Sequence, residues 1–215
     1  MAQGKRFKFT GSSFQVQIGY AATKVITAVT KANPGVVSST AHGLLAGAVG
    51  KIAAVVGMVE LNGGLYVVQN PVTGTFELAG TDTTNYTTYT SGGTFAPATY
   101  SPMCELTSLT QQDGSADEID VTTICSTAKE FELGLSDSGS LTLEYNFAKA
   151  EAAQAALIAA KTSGDIISFV ITLPGTGGKI VLLGLVQQMG FNASNGTVWT
   201  GSATIKLTGP VYFLA

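Results

Sequence analysis

The sequence predicts a mainly β fold with one flanking α-helix and a small all-β module inserted near its start. Three observations carry that expectation. Apolar residues make up 45 % of the 215 residues and charged residues only 12 %, where an ordinary soluble domain carries roughly 25 % charged residues. The 26 glycines, with abundant Thr, Ser and Val, suit short strands and tight turns better than a helical bundle. Apolar and polar residues alternate near both ends of the chain, with a stretch of different texture between them. The low charge also implies that other copies cover much of the surface.

The first segment alternates Phe7 and Phe9 against Arg6 and Lys8, then Phe14, Val16 and Ile18 against Gln15 and Gln17. That is the period of half-buried strands. From about residue 24 to 96 the chain is rich in Gly, Val and Thr. Its formal charges cancel there, Lys24, Lys31 and Lys51 against Glu60, Glu77 and Asp82. Short strands are expected at Leu65–Gln69 and Thr75–Ala79, between turns at Asn33-Pro34-Gly35, Asn62-Gly63-Gly64 and Ser91-Gly92-Gly93. This stretch reads as a module with its own core, which leaves 1–23 and 97–215 as one discontinuous domain.

Alternation returns after Pro97, with Leu141, Leu143, Tyr145 and Phe147 against Thr142, Glu144 and Asn146. One helix is expected at about 148–162. Its alanines favour it, Glu151 sits in the early turns, Lys161 near the end and Gly164 just beyond. Ala150, Ala153, Leu157 and Ile158 form a small-residue stripe that would let the helix lie close against a sheet. Strands are expected at Ile166–Leu173, Lys179–Gln188, Val198–Leu207 and Pro210–Leu214, with turns at Pro174–Gly178 and Asn195-Gly196. The plan is a β-barrel or sandwich with a helix across it.

Chemistry is poorly served outside one cluster. A net charge of −3 argues against gripping nucleic acid through its phosphates. Met1–Thr10 is basic and polar, which predicts no secretory leader, and no apolar run approaches the ~20 residues of a membrane span. The glycosylation-like triplets at Asn85, Asn192 and Asn195 then read as turn and strand residues. Cys104 and Cys125 lie symmetrically about Gly114-Ser115, so a hairpin there would make them cross-strand neighbours, as a disulfide or as two small buried thiols. "PGTGGK" at 174–179 lacks the spacing of a phosphate-binding loop and reads as a turn. His42, the only histidine, sits in a Gly-flanked turn with no nucleophile in a recognisable motif. Tyr86 and Tyr89 could form a sugar platform or be ordinary strand residues.

The exception is "DGSADEID", which places Asp113, Asp117, Glu118 and Asp120 within eight positions. It matches no calcium-loop pattern and lacks the His or Cys that zinc prefers. Paired catalytic carboxylates would need a cleft, as in glycosidases, so hydrolysis is the weakest reading. The expectation is a solvated or partner-facing loop, with no metal and no cofactor.

The stretch "GSADEIDVTTICSTAKEFELGLSDSGSLTLEYNF" (114–147) resembles the signature of siphophage-type major tail tube proteins of tailed bacteriophages. It carries the Gly-x-Ala-Asp-Glu-Ile-Asp-Val-Thr loop, then Lys129-Glu130-Phe131, then Gly134-Leu135-x-Asp137-x-Gly139. The helix and the terminal "GSATIKLTGP" fit the same pattern, over 1 to about 23 and 97–215. The segment at about 25–95 is similar instead to a small β repeat of phage tail proteins, itself like the first catalytic-cysteine half-domain of ubiquitin-activating enzymes. AHGL, Met58, Leu61-Asn62-Gly63, Tyr66 and the Tyr-Thr-Ser-Gly-Gly end carry that likeness, with no cysteine inside it.

The resemblance implies a non-enzymatic virion protein. It would assemble in the host cytoplasm into six-membered rings stacked as a hollow tail tube. DNA would pass through the lumen without specific binding, and no membrane would be involved. Tape measure, tail terminator and distal tail proteins would be its partners. It assigns Asp113, Gly114, Ala116, Asp117, Glu118, Ile119 and Asp120 to an inter-subunit loop, with Lys5, Arg6 and Lys8 as possible N-terminal contacts between rings. The inserted module would sit on the tube exterior. The competing reading is a β-sandwich fibre or decoration module that binds host-surface glycans.

Overall fold

A computed structural model describes residues 6–214, so the expected contact residue Lys5 lies outside the described residues. The fold is mainly β. Strand β1 (Ser13–Tyr20) leads into six short strands, β2 (Lys24–Val25), β3 (Ala28–Val29), β4 (Val36–Ser38), β5 (Val49–Val56), β6 (Leu65–Val72) and β7 (Thr75–Leu78). The long β8 (Ser91–Pro102) and β9 (Leu106–Gln112) follow, then β10 (Ala116–Asp120), β11 (Phe131–Ser136) and β12 (Ser140–Asn146). Helix α1 (Ala152–Ser163) precedes β13 (Ile166–Thr172), β14 (Lys179–Asn192), β15 (Thr200–Leu207) and β16 (Tyr212–Leu214).

Fourteen of these strands form one sheet, in the order β3-β4-β7-β6-β5-β8-β1-β13-β14-β15-β12-β9, with β2 beside β8 and β16 beside β14. Strand β8 is the joint. Its first half pairs with β5 and its second half with β1, so Pro97 stands inside a continuous strand. Strands β10 and β11 pair only with each other.

The side chains collect into three buried clusters. One lies between α1 and the sheet and holds Phe14, Val16, Leu143, Tyr145, Leu157 and Phe169. A second fills the early strands, with Ile52, Met58, Leu61, Phe76 and Phe95. The third joins the two regions, since it combines Val49, Val67 and Ala79 with Val170, Val181 and Leu183. Strands β13 and β14 are therefore covered on both faces, Phe169 and Leu182 toward the helix and Val170, Val181 and Leu183 toward the early strands. This is why they read as nearly unbroken apolar runs rather than alternating ones.

A polar network is buried beside the third cluster. The backbone N–H and hydroxyl of Ser168 donate to Gln17 Oε1 at 3.0 and 2.8 Å. Its proton being used, Ser168 Oγ accepts from the Tyr100 hydroxyl at 2.8 Å. Burial pushes the Tyr100 phenol up to about 12, so it remains a neutral donor.

Several expectations change. Residues 6–12 form no strand; the Ser12 N–H closes a turn onto the Phe9 carbonyl and Gly11 takes φ +92°. The helix begins at Ala152 rather than 148, because Glu151 is extended and Gln154 Oε1 accepts the Ala148 N–H at 2.8 Å. Its buried face is Ala153, Gln154, Leu157 and Ala160, so Ala150 and Ile158 drop out of the expected stripe. Its end is as read, with Lys161 in the last turn and Gly164 left-handed. Strand β14 runs to Asn192, beyond the expected Gln188, and β15 starts at Thr200, after the expected Val198. The turn at 174–178 is present, closed by the Leu173 N–H donating to the Gly178 carbonyl at 3.0 Å. Cys104 and Cys125 are both free and exposed. They are not neighbours in a hairpin about Gly114, because β9 pairs with β12 while β10 pairs with β11. Among the described residues no helix is long and apolar enough to cross a membrane.

Candidate functional site

The acidic cluster is not an open loop. Ala116–Asp120 is a strand, and it pairs with Phe131–Ser136 through Glu118 opposite Leu133, Ile119 opposite Glu132 and Asp120 opposite Phe131. Opposed residues share a face of a sheet and successive ones alternate. One face of the hairpin therefore carries Glu118, Asp120, Phe131 and Leu133; Ile119 and Glu132 lie on the other.

The neck of the hairpin is built from two glycines. A Cβ at Gly114 would collide with the Asp137 carbonyl, and one at Gly139, which has φ +82°, would collide with the Gln112 carbonyl. This close approach lets the Asp137 N–H donate to the Ser115 carbonyl at 3.2 Å, which closes the base of the ribbon. The Asp137 carboxylate accepts from Lys206 Nζ on β15 and from the Gly139 N–H at 3.1 Å. The Lys206 hydrogen bond, then the Gly139 N–H, hold Asp137 below the ordinary carboxylate range. It is the one ion pair among the described residues.

Beyond the strands, Asp120 Oδ1 accepts the Thr122 N–H at 2.9 Å, and the Thr122 hydroxyl, then that N–H, lower its pKa. Ser126 Oγ donates to Glu130 Oε2 at 3.0 Å, and Lys129 Nζ lies 5.9 Å from the centre of the Phe131 ring. Asp113 Oδ1 accepts the Gly114 N–H at 3.1 Å. Asp117 and Glu118 are exposed.

Apart from Ile119, the apolar half of the hairpin was missed by sequence reasoning. Leu133 is 80 % exposed and Leu135 90 %, with Ile119, Ile124 and Phe131 also open to solvent. None of the three buried clusters includes a hairpin side chain. The signal was present in the alternation of "FELGLS", but alternation ordinarily predicts that one face is covered by the same chain.

Other candidates disperse. Among the described residues, no group of three or more His, Cys, Asp or Glu is placed to hold a metal ion. His42 is buried against Phe76, accepts the Leu44 N–H at Nδ1 (3.0 Å) and donates from Nε2 to the Val72 carbonyl (2.8 Å), a packed turn. Tyr86 and Tyr89 pack against the second cluster, and the Tyr89 hydroxyl donates to the Gly92 carbonyl at 2.9 Å. They form no exposed aromatic platform. Arg6 and Lys8 are exposed and make no ion pair with the hairpin of their own chain.

A second exposed apolar surface lies at the far end of the sheet. Phe147, Phe191 and Trp199 stand together, with ring centres 5.7, 6.4 and 5.8 Å apart. Phe191 is 68 % exposed and Trp199 53 %. Phe147 and Phe191 line a groove of about 520 Å³ beside α1, whose charged residues are Lys149 and Lys161.

Residues 81–179 match the family described as phage tail tube, TTP, lambda-like. Residues 32–97 match the ubiquitin-activating enzyme E1 FCCH domain. The first match takes in the hairpin, β12, α1 and β13; the second lies in the early strands and the first half of β8. Among solved structures, a chain from the tail of an empty gene transfer agent (GTA) particle, obtained by helical refinement with C6 symmetry, aligns at 17 % identity and a TM-score of 0.45, over 54 % of this chain and 87 % of that one. A chain from the virion of a native gene transfer agent particle aligns at 17 % identity and a TM-score of 0.45, over 54 % of this chain and 89 % of that one. No curated protein matches.

Proposed function

We propose that this chain is a structural subunit of a phage-type tail tube, located in the virion tail, with no enzymatic activity. Six copies form a ring, rings stack head to tail, and DNA passes through the lumen. The observation that carries this reading is the hairpin inside the stretch that matches the tail tube family. A two-stranded ribbon is marginal alone in water, and this one holds large apolar side chains in solvent beside its carboxylates. A neighbouring copy would cover them.

Strand β9 adds support, because it ends the large sheet with one edge open. Exposed edges template pairing with another chain, and joining the sheets of neighbours into a closed barrel removes them. A contact between unlike surfaces that does not close along the axis gives an open filament. The net charge of −3 disfavours the counterion-release binding that would hold passing DNA.

In this reading residues 1–23 and 97–215 form the tube wall and 24–96 a module on its exterior. Residues Asp113–Asp120 contact the neighbouring subunit, with Arg6 and Lys8 available between rings. Tape measure, tail terminator and distal tail proteins are the partners at the lumen and the ends. Electron microscopy of the purified full chain tests this. Long hollow tubes with six-fold cross-section are expected; a protein that stays monomeric over a wide range of concentration and salt would overturn it.

A further inference from the structure

We infer that the hairpin of one copy seats on the aromatic and basic groove beside α1 of a second copy, with Glu118 and Asp120 facing Lys149 and Lys161. The inference rests on the assembly reading above and names the receiving surface for the hairpin.

The two surfaces are complementary in two respects, charge and apolar character. The hairpin face set by the strand register presents two carboxylates, Glu118 and Asp120, with two large apolar side chains, Phe131 and Leu133. The groove presents two exposed lysines, Lys149 and Lys161, with Phe147 and Phe191 on its wall and no carboxylate among its lining residues. Charge pairing would set register and orientation, while burial of the rings and leucine would supply most of the affinity.

The surfaces are also unlike each other, and neither has an ion pair within its own chain among the described residues. Strands β10 and β11 pair only with each other, and the one ion pair among the described residues is Lys206 with Asp137. A contact between two different patches is heterologous. When the two copies do not exchange it reciprocally, it propagates into a ring or a filament. A second copy is therefore the occupant that makes use of both surfaces at once.

The N-terminal segment offers a rival seat, since Phe7, Lys8 and Phe9 line an apolar groove with Phe14, Leu106 and Ile180. It presents one lysine where the groove beside α1 presents two, and so matches the paired carboxylates less well.

Charge reversal and rescue test the pairing in the full chain. Lys149→Glu with Lys161→Glu, and separately Glu118→Lys with Asp120→Lys, should each raise the concentration needed for assembly by about tenfold or more. Circular dichroism should show both variants folded, because all four residues are exposed. The four substitutions together should restore assembly. Trp199 is the only tryptophan, so its emission should shift to the blue on assembly of the wild type and of the four-fold variant, but not in either double variant. Normal assembly of the Lys149→Glu, Lys161→Glu protein, or failure of the four-fold variant to recover, would overturn the pairing. Loss of assembly from Arg6→Glu with Lys8→Glu while the lysine variant assembles would move the seat to the N-terminal groove. Wild-type protein that never assembles would remove the assembly reading itself, and this inference with it.

Discussion

Gln154 is a polar side chain with no solvent exposure, and its position is explained by three hydrogen bonds. Its Oε1 accepts the Ala148 N–H at 2.8 Å, and its Nε2 donates to the Asn146 carbonyl and to Glu151 Oε2, each at 2.9 Å. Glu151 in turn accepts the Cys104 N–H at 2.8 Å, so the helix start is tied to β12 and to the turn after β8. Replacing Gln154 with Ala should cost about 2–3 kcal/mol, because two backbone groups lose their partner. Tyr145 is the counterexample. Its hydroxyl is buried with no hydrogen-bond partner among the described residues, while its ring lies over Gly201, where any Cβ would collide with it. Tyr145→Phe should therefore leave stability within about 0.5 kcal/mol of the wild type. Urea denaturation of the two variants checks the contrast; equal losses would show that the buried bonds of Gln154 contribute little. Asp137 carries a pH dependence with a definite sign. Its folded pKa is depressed, so its contribution is present above the unfolded value and is lost as pH falls through the lower folded one. The pair is exposed, which limits the effect to the acid end of the stability profile.

The hairpin behaves as a unit hung from its neck. Gln112 still pairs with Ser140, and the Gly114–Gly139 approach closes the base, so the ribbon can be cut without disturbing the large sheet. Replacing Ala116–Ser136 with two glycines should give a folded monomer that no longer polymerises. A cut that begins at Gln112 would damage β9 as well. Circular dichroism with sedimentation velocity reads both properties, and normal tubes from the shortened chain would refute an assembly role for the ribbon. The helix was nearly legible beforehand: alanine content, Lys161 and Gly164 located its body and end. Its start was not, because a side chain six residues downstream, Gln154, caps Ala148 and holds 148–151 out of the helix.

In the molecule taken together, the early strands have a core of their own and also adjoin the rest of the sheet. They share β8 with the rest of the sheet, and the third cluster places Val49, Val67 and Ala79 against Val170, Val181 and Leu183. Replacing Lys24–Phe95 with a short linker would bare Val170, Val181 and Leu183, at roughly 1.5–3 kcal/mol for each side chain fully returned to water. The excised chain should be poorly soluble, and polar substitutions at Val181 and Leu183 should recover it as a folded protein that forms a thinner tube. Solubility and thermal melting of the two forms decide this; an excised chain as soluble and stable as the parent would show that the third cluster contributes nothing.

Residue order was enough to determine strand identity in most of the chain, the helix end at Gly164, the turn at 174–178 and the resemblance carried by residues 114–147. Each of these is local, set by backbone preference or by a pattern within one segment. Tertiary structure alone decided that β9 and β10 part company after Gln112, that Cys104 and Cys125 are exposed and apart, and that β8 joins two regions of different texture. It also decided that Phe131, Leu133 and Leu135 stand in solvent. Alternation reports that the two faces of a strand differ. What covers the apolar face depends on segments distant in sequence or on another chain, and no local pattern carries that information.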